Sequence, residues 1–306
     1  MENILAEFDI PKYRSIALVS NDKAVRNVSN NESVRNIDNK YILKKTTNLD
    51  QCKKNIILAH QLSEKGVLVP RFIPLKDGRF YTQEGDYYYS LMTRLNGEPM
   101  QIDTDDYIKK AETIGKLVAS LTLALNSCEC DLCSDTDCIQ VLNDWVKYEI
   151  ENKALPVPNK LLDYLDSFEA LYKKLPRQIN HKDLNGGNML FEDNLVFRGF
   201  IDFDIAEIDA RVYDISYILW CIIYVDKKGN PKLFDKSIEI AKCIFENYNF
   251  IVKLTDEEKQ AIPYLYVYVG IMVSAWMAKA DNIDMAIACA KCMEMFFDNL
   301  HCITFG

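Results

Sequence analysis

Positive charge is what this chain has too little of. Its 36 Lys and Arg residues stand against 45 Asp and Glu, a formal net charge of −9 over 306 residues. That balance argues against nucleic acid as a main partner, because phosphate backbones are held by basic surface. It is compatible with a cationic small substrate, and also with the surface of an ordinary globular protein. No signal segment is expected either, since Met1-Glu2-Asn3-Ile4-Leu5-Ala6-Glu7 is acidic and has no apolar core. Long apolar runs are scarce. The longest, Ala261 to Ala278, contains Pro263, Gly270 and four aromatics, three of them tyrosines. A buried helix explains it better than a bilayer span. The expectation is a cytoplasmic protein with no membrane partner. Internal repeats and long low-complexity tracts are absent too.

What remains is ordinary for a globular chain, 49% apolar and 26% charged, and long enough for two lobes with their own cores. The 10 cysteines should be mostly reduced in the absence of a signal. Cys128, Cys130, Cys133 and Cys138 cluster among Glu129, Asp131, Asp135 and Asp137. Their spacing is too tight and irregular for a zinc ribbon or a ferredoxin run. An exposed loop with free thiols is expected there, with a metal site as the alternative. Cys289 and Cys292 read as helix packing residues.

The first ninety or so residues are mixed. Ser15 to Val19 and Ala24 to Val28 read as short strands, with Ser29-Asn30-Asn31-Glu32 a polar turn. Ser33 to Ile37 and Lys40 to Lys44 read as two strands joined by Asp38-Asn39. Leu49 to Lys65 reads as a helix stopped by Gly66. Val67 to Pro70 leads into another strand, Lys76 to Arg79 reads as a hairpin turn, and Tyr87 to Met92 as an apolar strand. After Thr93-Arg94-Leu95-Asn96-Gly97 the pattern becomes helical. Asp103 or Thr104 is expected to cap a helix whose face carries Ile108, Ala111, Gly115, Val118, Leu121 and Leu125. Another helix is expected over about Asp137 to Asn152. The next carries Leu161, Leu165, Phe168, Tyr172 and Leu175, stopped by Pro176. Beyond a hairpin near residue 190 the rest reads as helical. The division expected is a β-rich lobe over 1–95 and an α-rich lobe over 96–306.

The most informative residues are His181-Lys182-Asp183-Leu184-Asn185-Gly186-Gly187-Asn188, followed by Ile201-Asp202-Phe203-Asp204. Met189-Leu190-Phe191 and Leu195-Val196-Phe197 flank Glu192-Asp193-Asn194, a hairpin signal. A carboxylate in a polar loop, an amide five residues on, and a second carboxylate among apolar neighbours form a recognisable set. Phosphoryl transfer from a nucleotide uses a carboxylate to orient the attacking hydroxyl and two oxygen ligands to hold magnesium. Asp183 fits the first role, and Asn188 and Asp202 fit the second. A charge buried among apolar residues, as at Asp202, is ordinarily paired or metal-bound.

From about Ser15 to residue 280 the chain resembles the aminoglycoside phosphotransferase and choline kinase superfamily, most specifically over Leu175 to Leu219. That resemblance implies an α+β, protein-kinase-like fold with a small β-rich lobe and a larger α-helical one. It implies an ATP- or GTP-dependent kinase of a small-molecule hydroxyl, with Asp183 as catalytic base and Asn188 and Asp202 as magnesium ligands. It further implies that His181 braces the loop and that Asp214 bonds to loop amides. Lys44, in Tyr41-Ile42-Leu43-Lys44-Lys45, would be the nucleotide lysine, sharing a strand face with Ile42 and opposite to Lys45. Ser29, Asn30 and Asn31 would face phosphate, and Thr93 and Leu95 would meet the purine. Leu91 and Met92 are expected in the core.

Two features depart from the pattern. The helix after Lys44 should carry a glutamate that pairs with it, near Asn55, yet no acid lies between Asp50 and Glu64. The turn from Ser29 to Glu32 has no glycine. A non-catalytic kinase-like protein is therefore the competing reading. A protein kinase is disfavoured, since Asp204 stands where a glycine would and no Ala-Pro-Glu follows. Aminoglycosides, choline or ethanolamine, homoserine, and amino or thio sugars all remain open as substrates. Asp144, Glu149, Glu151 and Asp281 read as solvated helix charges. Trp145, Tyr148, Trp220 and Trp276 read as core packing rather than an aromatic wall.

Overall fold

The computed structural model describes residues 2–10, 12–19, 33–102, 104–193, 195–224 and 231–299. The strand expected at 24–28, the turn holding Ser29, Asn30 and Asn31, and the Asp103 cap lie outside the described residues. The chain divides into two units. One comprises Met1–Pro99, Cys128–Cys133 and Gly187–Ala206; the other comprises Met100–Ser127, Ser134–Gly186 and Glu207–Gly306.

The first unit opens with helix α1 (Glu2–Glu7), which the sequence reading did not anticipate. Strands β1 (Ile16–Leu18), β2 (Val34–Ile37) and β3 (Tyr41–Thr46) follow. Asp38 and Asn39, both at φ 54°, join β2 to β3. With Lys40 they form a three-residue connection, and these residue types tolerate the left-handed region it uses. Helix α2 (Leu49–Glu64) starts at Asn48, whose side chain accepts from the N–H groups of Asp50 and Gln51. It ends before Gly66 at φ 80°. Strands β4 (Tyr81–Glu84) and β5 (Tyr87–Thr93) complete an antiparallel sheet of order β1-β2-β3-β5-β4. The β4–β5 turn is at Gly85, φ 59°. The turn expected at Lys76 to Arg79 does form, with the Leu75 N–H donating to the Arg79 carbonyl at 2.7 Å. The strand expected after Pro70 shrinks to a single bridge, Phe72 to Met92. Pro70 and Pro74 have no N–H to donate to a ladder. Ile4, Leu5 and Phe8 pack with Ile37, Leu43, Leu75, Tyr89 and Leu91 as this unit's core. A two-residue strand β6 (Glu98–Pro99) ends the segment.

The second unit begins its helices with α3 (Tyr107–Leu125). Thr104 does not cap it: the helix starts after Asp106, and the Thr104 hydroxyl instead donates to Asp106 Oδ1 at 2.6 Å. The helix expected over 137–152 is α4 (Cys138–Val141), a π-helical turn (Leu142–Val146) and α5 (Lys147–Asn152) in succession. The helix expected to run through Leu175 is broken into α6 (Asn159–Asp166) and α7 (Glu169–Tyr172), yet every expected apolar position on it is buried. The cysteine segment is not an exposed thiol loop: Cys128, Cys133 and Cys138 are all buried. Small apolar thiols are among the groups most often buried.

Strand β7 (Arg177–Asn180) leads towards the motif. The hairpin β8 (Met189–Glu192) and β9 (Val196–Phe200) belongs to the first unit and pairs there with β6. Gly97 lies against the β8 backbone; a Cβ there would be 2.8 Å from the Phe191 carbonyl oxygen. Strand β10 (Glu207–Ala210) pairs antiparallel with β7 where helix had been expected. Helices α8 (Tyr213–Tyr224), α9 (Pro231–Val252), α10 (Asp256–Lys279) and α11 (Ile283–Asp298) complete the second unit. Gly115 lets α3 approach α9 closely: a Cβ there would meet the Ile244 carbonyl oxygen at 2.4 Å. Helix α10 carries the long apolar run. It starts with a reciprocal Thr255–Glu258 capping box and buries Ile262, Leu265, Tyr266, Val269 and Ile271.

Candidate active site

Lys44 lies on β3, between β2 and β5, and its side chain is 18% exposed. Its ammonium group sits 2.6 Å from Asp202 Oδ1 and 2.6 Å from Asp204 Oδ2. Burial alone would lower the Lys44 pKa, but the two carboxylates outweigh it and raise it above its ordinary value. Burial pushes the Asp204 carboxyl up, with Lys44 pulling the other way. Lys45 points to the opposite face, its ammonium 3.6 Å from the centre of the Tyr87 ring. The strand's two-residue period therefore separates the two lysines as the sequence suggests.

The acid that the helix lacks is supplied from elsewhere in the chain. Asn55, on the second turn of α2 and buried, donates from Nδ2 to Asp204 Oδ1 at 2.7 Å. Its Oδ1 accepts from the Phe203 N–H at 3.4 Å. Asp204 thus meets Lys44 through one oxygen and Asn55 through the other. Sequence reasoning placed Asn55 near the lysine but did not pair it with Asp204. The close pair of acids in Asp202-Phe203-Asp204 was the available signal.

Asn188 is buried at the end of the 3-10 turn Gly186–Asn188, just before β8, and its carbonyl accepts from the Ile201 N–H at 3.1 Å. That bond ties the residue before Asp202 to Asn188. Asp202 itself holds φ at 70°, a conformation few side-chain-bearing residues adopt. An amide oxygen and a carboxylate are hard donors of the kind magnesium takes. The residues present therefore fit that ion.

Asp183, in the second unit, lies in a loop braced on several sides. Tyr217 of α8 donates its phenol to Asp183 Oδ1 at 2.8 Å, and Asn185 Nδ2 donates to the same oxygen at 2.9 Å. Burial, then the Asp183 charge, push the Tyr217 phenol well above its ordinary pKa, so it stays a donor. The Asp183 N–H reaches His181 Nδ1 at 3.4 Å. Asp214 accepts from the His181 and Lys182 N–H groups at 2.7 and 3.0 Å, the bonds expected of it. Lys182 holds φ at 69°, a conformation costing about 1–3 kcal/mol. Its ammonium reaches fully buried Asp209 at 2.5 Å and lies 3.4 Å from the Tyr213 ring centre. Tyr217 and the Lys182–Asp209 pair were not anticipated.

Other expectations fall out unevenly. The Thr93 N–H donates to the Arg71 carbonyl at 2.8 Å, and its hydroxyl accepts from the Arg71 N–H at 2.9 Å. Leu95 lies against Gly199 in the first unit. Leu91 and Met92 are core residues. Trp220 is buried, but Tyr148 and Trp276 are exposed by 61% and 40%, so these two are not core packing. Asp144, Glu151 and Asp281 are exposed as expected; Glu149 is buried instead.

Residues 23–231 match the family model described as the phosphotransferase enzyme family. Over 231 residues the chain is 29% identical to a homoserine kinase of Zymomonas mobilis subsp. mobilis, covering 72% of this chain and 68% of that protein. The structure of a microcompartment-associated aminopropanol kinase superposes with a TM-score of 0.71 at 16% identity, over 100% of this chain and 98% of that one. The GDP complex of aminoglycoside 2′-phosphotransferase-IIIa gives 0.65 at 14% identity, over 97% of each chain. The α+β architecture is therefore the kinase-like one shared by small-molecule phosphotransferases. The chain belongs to the phosphotransferase enzyme family. It is a kinase that acts on a small-molecule hydroxyl group.

Proposed function

We propose that this chain transfers the γ-phosphoryl group of ATP to the side-chain hydroxyl of homoserine. The observation that carries the nucleotide part is the Lys44–Asp202 contact, 2.6 Å between residues 158 positions apart. A strand lysine beside an aspartate suited to hold metal brings together the two groups that such enzymes use on the phosphates and on their magnesium. Asp183 takes the role of base. It already accepts a hydrogen bond from a neutral hydroxyl, that of Tyr217, at 2.8 Å, so an alcohol proton is a donor it can receive. The acceptor oxygen forms its bond to the γ-phosphorus, the bond to the β-phosphate oxygen breaks, and ADP leaves. Asn188 and Asp202 would hold magnesium, which when bound offsets charge on the phosphate oxygens. Lys44 fixes the nucleotide, and the backbone from Thr93 to Leu95 meets the base. Homoserine is favoured because the related enzyme matched over 72% of this chain carries that name. Its small amino-bearing carbon chain is also close in chemistry to aminopropanol, the substrate in the name of a kinase that superposes on the whole chain. The protein would work in the cytoplasm.

The test is a panel. The protein is incubated with magnesium and ATP or GTP, plus homoserine, 1-amino-2-propanol, choline or kanamycin. Nucleoside diphosphate and the phosphorylated acceptor are both measured. Homoserine with ATP should give the highest kcat/KM. Phosphorylation of kanamycin or choline in its place would overturn the substrate. No turnover, together with no nucleotide-induced shift in thermal unfolding, would favour a non-catalytic kinase-like protein.

A further inference from the structure

We infer that Asp204 and Asn55 act as one positioning unit for Lys44, so that the carboxylate holding the nucleotide lysine comes from position 204 and is aimed by an amide on α2. The inference rests on the nucleotide role proposed for Lys44. The geometry is specific. The Lys44 ammonium contacts two carboxylates, and one of them, Asp202, is the residue suited to hold magnesium. A cation on Asp202 shares that carboxylate's charge, which leaves Asp204 as the dedicated counterion of a largely buried ammonium. Asp204 has only 19% of its side chain exposed, so protein groups are its main partners. Asn55 orients it, with a donor and an acceptor used at once: Nδ2 to Asp204 Oδ1, and Oδ1 from the Phe203 N–H. An aspartate at 55 would keep the acceptor and lose the donor; a leucine would lose both. Residue 55 therefore fixes both the direction of the Asp204 carboxylate and the backbone that carries it. All four groups lie within the first unit.

The two side chains are nearly isosteric, which allows an exchange test on the full chain. Four variants are compared with wild type: Asp204→Asn, Asn55→Asp, the exchanged pair Asn55→Asp with Asp204→Asn, and Lys44→Ala as control. In the exchanged pair every hydrogen bond can be remade. Asp at 55 accepts from the Phe203 N–H and from the Asn at 204, whose amide oxygen accepts from Lys44. One negative charge stays in the couple. Binding of a non-hydrolysable ATP analogue is measured by calorimetry with and without magnesium, alongside KM for ATP and for the acceptor. Asn55→Asp, because it sets two carboxylates against each other, and Asp204→Asn, because it removes one partner of the Lys44 charge pair, should each weaken analogue binding by about tenfold or more. KM for ATP should rise with it while KM for the acceptor stays within about twofold. The exchanged pair should recover analogue affinity to within about threefold of wild type. Wild-type affinity in Asp204→Asn, or an exchanged pair no better than Asn55→Asp, would overturn the inference. If Lys44→Ala also binds and turns over as wild type does, the nucleotide role of Lys44 falls instead. Loss in Lys44→Ala without loss in the other variants removes only the positioning unit.

Discussion

The Tyr217 phenol is kept protonated by burial and by the neighbouring Asp183 charge, and it spends its proton on that carboxylate. Removing the hydroxyl should let Asp183 rotate and lose alignment with an incoming alcohol. Tyr217→Phe is expected to lower kcat by about tenfold, the scale of one hydrogen bond to a charged group, and to leave nucleotide affinity within about twofold. Steady-state kinetics with calorimetric nucleotide binding checks this; an unchanged kcat would remove Tyr217 from the mechanism. Asp183, Asn188 and Asp202 are singled out by their order and spacing, because the proposed loop chemistry is drawn from a short stretch of chain. Tyr217 and the partner of Asp204 are not. Their contacts span 34 and 149 positions and follow no period.

Element by element, the structure rewards long periodic segments and defeats short ones. Helix α2 and helix α3 announce themselves through their apolar faces and, for α2, its stop. Strands β4 and β10 were both missed, although β2, also of four residues, was read, since neither follows a turn as plainly marked as Ser29 to Glu32. The break between α6 and α7 was also invisible, since Leu161, Leu165, Phe168 and Tyr172 keep a helical spacing across it. Two elements offer direct tests. Asp38, in the β2–β3 turn, accepts from the N–H groups of Arg14 and Ser15 at 2.8 Å each. The Ser15 bond leads in lowering its pKa below 3.8. A carboxylate depressed on folding stabilises the fold above its unfolded pKa, and that contribution is lost as pH falls through the lower folded value. The protection factors of the Arg14 and Ser15 amides, corrected for intrinsic exchange, should therefore fall only in acid below the ordinary carboxylate range, and Asp38→Asn should lower them and remove that acid dependence. Wild-type protection that is indifferent to acid would contradict this. At the α3–α9 contact, Gly115→Ala would force a methyl group against the Ile244 backbone oxygen. The expected loss is about 1–3 kcal/mol by urea unfolding. A neutral result would mean that the two helices separate at no cost.

For the whole molecule, composition set the bounds and the motif set the class. The longest apolar run, interrupted by Pro263 and Gly270, reads as a buried helix. Helix α10 proves to be a core helix, with most of its residues buried. The replacement of the helix glutamate could only be seen once residues 55 and 204 were placed in space, because nothing local marks an asparagine as the keeper of a distant carboxylate. The account as a whole depends on Asp183 acting on the acceptor hydroxyl rather than on the nucleotide. The direct measurement compares wild type with Asp183→Asn in one preparation, following homoserine-dependent ADP formation and calorimetric binding of the ATP analogue. Turnover should fall by about 10²–10⁴-fold while nucleotide affinity stays within about threefold. Turnover retained in the variant, or nucleotide binding lost along with it, would contradict the account.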